Sequence, residues 1–317
     1  MLEALKFVQG AVAKKDFVPT LMHFHILNRR ILGYNGNLAI SSPIDLDIEA
    51  CPSAVPFVKA IKTCRDTAAL HITASGKLAI KSGAFRVYVD CTAEPFPYIE
   101  PQGEHISLEG VKLLPVLKKL LPMVALDASR PWASGILFRG QSAYATNNVV
   151  LIEHWLGYEF PVNINLPVLT IKELLRIKEE PIGLQVSDNS ITFFFEGDRW
   201  LRSQVTTLEW PDISRILSVE NNAVALPDGL FSAVADLANF TGELDQLFFQ
   251  GETLSTVPHK DDGAQMEVPG LQGDGCFQAT QLLLLEGVAE KVDFTAYPAP
   301  CIFYGENCRG AIVGVKQ

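Results

Sequence analysis

The stretch EWPDISRIL, residues 209–217, decides how this chain is divided. Trp210 precedes Pro211 and Asp212, and Arg215 and Ile216 follow one short turn later. A weaker twin, EPFPYIEP, occupies residues 94–101. Proline fixes φ and keeps such a phrase extended, while the aromatic ring beside it can pin it to a neighbouring sheet. Two copies one domain length apart read as linkers and direct attention to an internal repeat.

The repeat is legible as three blocks with one layout. Each opens on a helical pattern: LEALKFVQGAVAKK, then LEGVKLLPVLKKLLPMV, then PDGLFSAVADLANF with Leu230, Val234 and Leu237 at i, i+4, i+7. Short β-rich runs follow, cut by the turns NGN, RGQ and QGE. A second helix comes next in VPFVKAIKTCRD, VLTIKELLRIKEE and QATQLLLLEGVAEK. Each block closes in a β-meander, with turn centres SGK, SDN and YPAP, then SGA, EGD and GEN. The expected fold is α+β: three tandem quasi-equivalent domains, 1–103, 104–217 and 218–317, each with two helices packed on antiparallel sheets.

Composition suits a globular protein: 317 residues, 48% hydrophobic and 20% charged. No apolar run approaches the roughly 20 residues that span a bilayer, and the N-terminus lacks the cations-first layout of a signal peptide. A cytoplasmic protein that does not engage membranes is expected. Six cysteines without a CxxC pair suit reduced, packed thiols, although Cys301 and Cys308 could face each other across a hairpin. The net charge of −10 is uneven: residues 218–317 hold 4 basic and 14 acidic residues, and 4 − 14 = −10. Residues 1–103 hold 11 basic against 9 acidic, and residues 104–217 hold 11 against 13. Such asymmetry informs partners and assembly.

The cations of the first two blocks gather on predicted helices. Lys6, Lys14 and Lys15 belong to the first helical pattern. On the second, Phe57, Ile61 and Cys64 would face a sheet, with Lys59, Lys62 and Arg65 opposite. Block two adds Lys112, Lys118 and Lys119, then Lys172, Arg176 and Lys178 diluted by Glu173, Glu179 and Glu180. Block three adds only Lys291. A helix surface bearing these groups would attract phosphates without reading bases, although surface helices carry lysines in most proteins.

Several strings, in order, resemble the bacterial-type DNA sliding clamp, the DNA polymerase III beta subunit family. These are LAIKSGAFRVYV followed by EPFP, SRPWASGILF, YATNNVVLIEHW, WPDISRIL and the ending RGAIVGVKQ. The resemblance runs over nearly the whole chain. It implies a closed ring in which two three-domain chains join head to tail around duplex DNA, helices inward and sheets outward. It also implies tethering of a DNA polymerase, opening by an ATP-dependent clamp loader, and docking of clamp-binding peptides between domains two and three. The implied pocket residues are Ala133, Thr146, Asn148, Val149, Val150, Leu151, Pro211, Arg215, Ile216, Val313 and Val315. Thr146 and Arg215 would be its polar edges. The sequence departs from the family at Asn147-Asn148-Val149-Val150, where an Asp-Gly-His-Arg run is usual, and at Val313-Gly314-Val315, where a methionine-rich tail with a proline is usual. Valine is stiffer and smaller than methionine, which suits a clamp of fewer or different partners. With a chain shorter than usual, this suits a divergent member carried on a mobile genome such as a phage's.

Other signals carry less. His23 and His25 share a strand face without a third ligand at sensible spacing, so no metal is expected. GYNGN lacks the pattern of a phosphate loop. Glu153 and His154 are strand neighbours and point to opposite faces. No catalytic residue and no cofactor is expected. The alternatives are a clamp-like interaction protein that docks partners without encircling DNA, and an enzyme on an α+β scaffold.

Overall fold

The computed structural model describes residues 1–127, 129–205, 208–258 and 262–316. In chain order the first block gives α1 (Leu2–Val8), β1 (His25–Leu27), β2 (Arg30–Tyr34), β3 (Leu38–Pro43), α2 (Ala54–Thr63), β4 (Ala69–Ile72), β5 (Leu78–Ser82) and β6 (Phe85–Val89). The second gives β7 (Glu104–Ser107), α3 (Leu113–Leu120), β8 (Gly135–Arg139), β9 (Ser142–Thr146), β10 (Val150–Trp155), β11 (Ile164–Pro167), α4 (Val168–Ile177), β12 (Gly183–Ser187), β13 (Ser190–Phe195) and β14 (Arg199–Gln204). After α5 (Ser214–Leu217) come β15 (Val224–Ala225), α6 (Leu230–Ala238), β16 (Gln246–Gln250), β17 (Thr253–Ser255), β18 (Gln265–Glu267), β19 (Asp274–Gln278), α7 (Ala279–Leu283), β20 (Lys291–Val292), β21 (Cys301–Gly305) and β22 (Cys308–Ile312).

Local patterns place these elements. In α2, Phe57 and Ile61 are buried and Lys59 and Lys62 exposed, as the 3.6-residue period requires. The first helix is shorter than its pattern: α1 ends at Val8, and a 3-10 turn follows over Gln9–Ala11. A Cβ on Gly10 would stand 1.9 Å from Glu173 Oε1, so any other residue there would have to displace the Glu173 carboxylate of α4. Lys14 and Lys15 therefore lie in a loop and not on the helix.

The chain packs as two compact units: residues 1–114 with 172–205, and residues 115–171 with 206–317. A unit is not a block, because sheets are shared between consecutive blocks. Unit 1 holds a seven-stranded sheet in the order β1-β2-β3-β14-β13-β12-β7, which joins the first strands of block one to the meander of block two. Its seam is β3 against β14, antiparallel, with Ser41 opposite Trp200. Unit 2 holds an eight-stranded sheet in the order β11-β8-β9-β10-β22-β21-β20-β15, with Glu153 opposite Arg309 at the equivalent seam. Two half-sheets remain: β4-β5-β6 in unit 1 and β18-β17-β16-β19 in unit 2.

The closing meanders turn where the sequence places them, between β4 and β5, β12 and β13, β20 and β21, and then at the next hairpin of each block. Cys301 and Cys308 lie on paired strands but do not face each other. Cys301 stands opposite Ile312 and Cys308 opposite Gly305, and both thiols are buried and free. Burial pushes the Cys301 thiol up to about 12, so it stays protonated and inert. No helix among the described residues is long and apolar enough to cross a membrane.

Candidate partner groove and cationic helix face

All eleven residues implied for the peptide pocket fall in unit 2. The linker enters through Trp210, which is buried against Leu137, Leu151 and Leu217, with Trp132, Tyr144 and Ile213 packed around them. Trp132 and Trp210 meet edge to face, centroids 5.1 Å apart. The linker is thus pinned to the sheet by its ring, as its sequence suggests. Asp212 then accepts from the backbone N–H of Ser214 (3.0 Å) and its hydroxyl (2.6 Å), which starts α5. Those bonds hold the Asp212 carboxyl below its usual value. Helix α5 packs on β22, and its Ile216 stays 38% exposed.

The opposite border is the turn between β9 and β10. Asn147 Oδ1 accepts from the N–H groups of Val149 and Val150, and its amide donates to Gln281 Oε1 at 2.6 Å. Asn148 adopts φ 77°, and its side-chain oxygen accepts from Arg130 at 2.9 Å. The chain after β22 runs on beside this turn, with Val313 N–H donating to Val149 O at 3.0 Å. Val315 N–H donates to Cys276 O and Tyr297 Oη to Val315 O, both at 2.7 Å. A Cβ on Gly314 would lie 2.6 Å from the Tyr297 ring, which accounts for the missing proline: the tail lies too flat on that ring to carry one.

The eleven residues divide by exposure. Ala133, Thr146, Val150 and Leu151 are buried, and Thr146 Oγ1 is spent on Val150 O at 2.8 Å. Asn148, Val149, Pro211, Arg215, Ile216, Val313 and Val315 retain surface. Trp132, Tyr144, Ile213, Arg130 and Tyr297 are the site residues that sequence reasoning missed. Only the tryptophan in SRPWASGILF offered a signal, because an aromatic between proline and a strand start invites a packing role.

The cations are more scattered than expected. Lys59 and Lys62 on α2, Lys118 on α3 and Lys172 on α4 are exposed on helices. Arg65, Lys112 and Lys178 flank helix ends, and Lys291 lies on β20. Lys6 pairs with Glu3 at 2.8 Å, and Lys119 donates to Glu306 O at 2.9 Å. Arg176 is structural: it binds Glu173 at 2.6 Å and the backbone oxygens of Lys6 (2.9 Å) and Phe7 (2.6 Å) at the end of α1. The glutamates that diluted α4 are spent internally. Glu173 holds Arg176, Glu179 takes Arg199 at 2.6 Å, and Glu180 accepts the first N–H groups of α3, Leu113 at 2.9 Å. Lys172 and Lys178 are left without ion pairs among the described residues. Helices α6 and α7 carry no cation at all.

The other singled-out groups are structural. His23 Nδ1 lies 2.7 Å from Pro19 O, and His25 stacks on Phe96 of the first linker at 4.9 Å. Glu153 is turned to Arg309, away from His154, as strand neighbours must be.

Solved structures match this arrangement over the whole chain. A Caulobacter crescentus pol III beta superposes with a TM-score of 0.83 at 19% identity, covering 100% of this chain and 97% of that one. The fold is that of the DNA sliding clamps. A DNA polymerase sliding clamp from Pseudomonas aeruginosa gives 0.83 at 18% identity, with the same coverage of both chains. A sliding clamp from Bartonella birtlesii, bound to griselimycin, gives 0.80 at 17%, again with that coverage. No protein-family model matches the sequence, and no curated protein matches it.

Proposed function

We propose that this chain is a DNA sliding clamp, a processivity factor that encircles duplex DNA and tethers a polymerase through the groove beside Ile216. The observation that carries this reading is the seam. In the two larger sheets, the last strand of one block's meander pairs antiparallel with the last strand of a three-strand run in the preceding block: β14 with β3 of β1-β2-β3, β22 with β10 of β8-β9-β10. In the two smaller sheets the strands of the same two kinds, β18 and β6, each lie at an edge. Pairing β18 of one copy with β6 of another would complete a third sheet by the same rule. Exposed edges of this kind are poor to leave open. The acidic third block, at 4 − 14 = −10, would then meet a first block at 11 − 9 = +2. Two such contacts related by a two-fold axis close a ring of two chains, each read as three clamp domains with bounds 1–103, 104–217 and 218–317.

Inside that ring the cations of α2, α3 and α4 hold the phosphate backbone without base contacts, which permits sliding. The topological link turns release of a docked polymerase into a local equilibrium at high effective concentration. The reading requires no chemistry from the chain; opening falls to an ATP-dependent loader. The test is retention of the protein on nicked circular DNA, together with sedimentation. A ring-sized dimer retained on circles is expected, and a monomer never retained would overturn the reading. That second outcome fits the rival reading, a docking protein that does not encircle DNA, which the cation-free α6 and α7 favour.

Two variants probe the two surfaces. Neutralising Lys59, Lys62, Lys118 and Lys119 together is expected to lower the salt slope of DNA binding by roughly one unit for each phosphate no longer neutralised. An unchanged slope would remove these helices from the DNA surface. Ile216→Asp places a charge in the apolar groove at a cost of a few kcal/mol, so docking of a clamp-binding peptide should fall by at least about tenfold. Sedimentation of this variant should not change, because Ile216 is exposed and α5 lies away from β6 and β18 in sequence. Full polymerase stimulation by it would refute the groove.

A further inference from the structure

The first linker repeats the geometry of the second with different chemistry. Phe96-Pro97 stands where Trp210-Pro211 does, and Phe96 lies on His25 of β1 as Trp210 lies on Leu137 of β8. One step along the two seams, Ala39 faces Arg202 where Leu151 faces Ala311. Counted from the aromatic residue, Gln102 takes the place of Ile216. Arg202 Nη2 donates to Gln102 Oε1 at 3.3 Å, so these two counterparts do come together. The place that Leu151, Ala311 and Ile216 hold in unit 2 is thus held in unit 1 by Ala39, Arg202 and Gln102. An apolar patch has become a cationic one.

Phe195 meets Phe7 of α1 at 5.5 Å, and Leu201 shares that face, so Trp200 and Arg202 point to the other side of the sheet. Among the described residues no carboxylate pairs with Arg202, and its Nε is buried without an acceptor. Thr192 lies opposite Arg202, and Gln185 opposite Thr192. Thr192, fully buried, has an unpartnered Oγ1, and Gln185 has an unpartnered Oε1, again among the described residues. Buried polar atoms are normally satisfied, so three in one cross-strand row fit a partner that comes from outside. Beside the row, under the linker, is a cavity of about 350 Å³ lined by His25, Leu32, Trp200, Phe96, Tyr98 and Ile99. Trp200 and Arg202 are two strand positions apart, roughly 7 Å. An extended segment laid along β14 spaces its alternate side chains equally, so an apolar residue in the cavity brings a residue two positions away to Arg202. A phosphate backbone fits poorly: it draws on several cations, and the neighbouring Arg29 and Arg30 are already paired with Asp45 and Asp198.

We propose that the first linker and β14 form a second docking site, which takes an extended acidic segment of a partner protein. A large apolar side chain of that segment fills the cavity, and an aspartate or glutamate two positions away pairs with Arg202. The carboxylate supplies the counter-ion that the fold itself does not. This site stands independently of ring closure and of the groove beside Ile216.

The test uses the full chain and two capped, fluorescein-labelled peptides with a central phenylalanine. Two positions away on each side, one peptide carries aspartate and the other asparagine. By fluorescence polarisation the wild type is expected to bind the acidic peptide roughly 10-fold tighter, the scale of one hydrogen bond to a charged group. Arg202→Met should remove that difference, and Ile216→Asp should leave it intact. With benzoylphenylalanine in place of the central phenylalanine, photocrosslinks on the wild type should map to residues 96–101 or to β14. Equal binding of the two peptides, a difference that survives Arg202→Met, or crosslinks confined to unit 2 would overturn the proposal. Displacement of the acidic peptide by an equal concentration of single-stranded oligonucleotide would assign Arg202 to phosphate and overturn it as well. None of these outcomes bears on the clamp reading, which stands or falls on retention on circular DNA.

Discussion

Trp210→Ala is expected to cost unit 2 about 3–5 kcal/mol, the range for truncating a large buried aromatic. The ring is 8% exposed and sits in one cluster with Leu137, Leu151 and Leu217, edge-on to Trp132. Its removal leaves a hole under the linker, so the chain would no longer hold α5 against β22. Urea unfolding should show the loss, and peptide docking should fall with it. Trp210→Phe separates packing from polarity. It keeps an aromatic ring and discards an indole Nε1–H that is buried without an acceptor among the described residues. That variant should cost under about 1.5 kcal/mol. A loss below about 1 kcal/mol for alanine would mean that the linker is held by something other than its ring.

Arg309→Met is the second large effect. Glu153 is buried, and its carboxylate accepts from Ser142 (2.9 Å), Tyr144 (2.7 Å) and Arg309 (2.7 Å). Burial pushes this carboxyl up, but the hydrogen bonds from Tyr144, Arg309 and Ser142 outweigh it and hold it below its usual value. A depressed carboxyl stabilises the fold above its unfolded value, about 4.3, and the contribution is lost as pH falls through the lower folded value. Without Arg309 the buried charge lacks its counter-ion, at a cost on the order of 3 kcal/mol near neutral pH. The titration then shifts upward, so the acid-side loss of stability shrinks. Adding Glu153→Gln should restore most of the loss, because a neutral acceptor still satisfies Ser142 and Tyr144. A single variant within 0.5 kcal/mol of wild type, on the order of an ordinary surface change, would show the pair to be idle.

The repeat, the linkers and the hairpin turns were legible because each is local. Asn35-Gly36-Asn37 and Glu196-Gly197-Asp198 announce reversals by residue type alone. The buried face of α2 followed from its period. The seams were not legible: nothing near Ser41 states that Trp200 will lie opposite it. A strand's period fixes which face is buried, but not which distant strand it pairs with. The same locality misled the reading of α4, where three glutamates looked like a diluted surface until their partners were seen: Arg176 one turn on for Glu173, and the distant Arg199 and Leu113 for Glu179 and Glu180. In the groove, the linker could be read, whereas Tyr297 beneath Gly314 could not, since the two meet only after β21 and β22 have folded.

The shared sheets also set an order of events during synthesis. In unit 1 the last strand made, β14, is the central one of seven; in unit 2 it is β22, again interior, between β10 and β21. Neither sheet can be finished from its first strands outward. While a ribosome is still extending the chain, β3 and β10 present open hydrogen-bonding edges for the time needed to add more than a hundred further residues, several seconds at roughly 5–20 residues per second. Pairings this distant are slow to form and prone to capture by other chains. Emergence of β22 is thus the moment when unit 2 can first close, and a nascent chain held short of β22 would be the species most dependent on a chaperone.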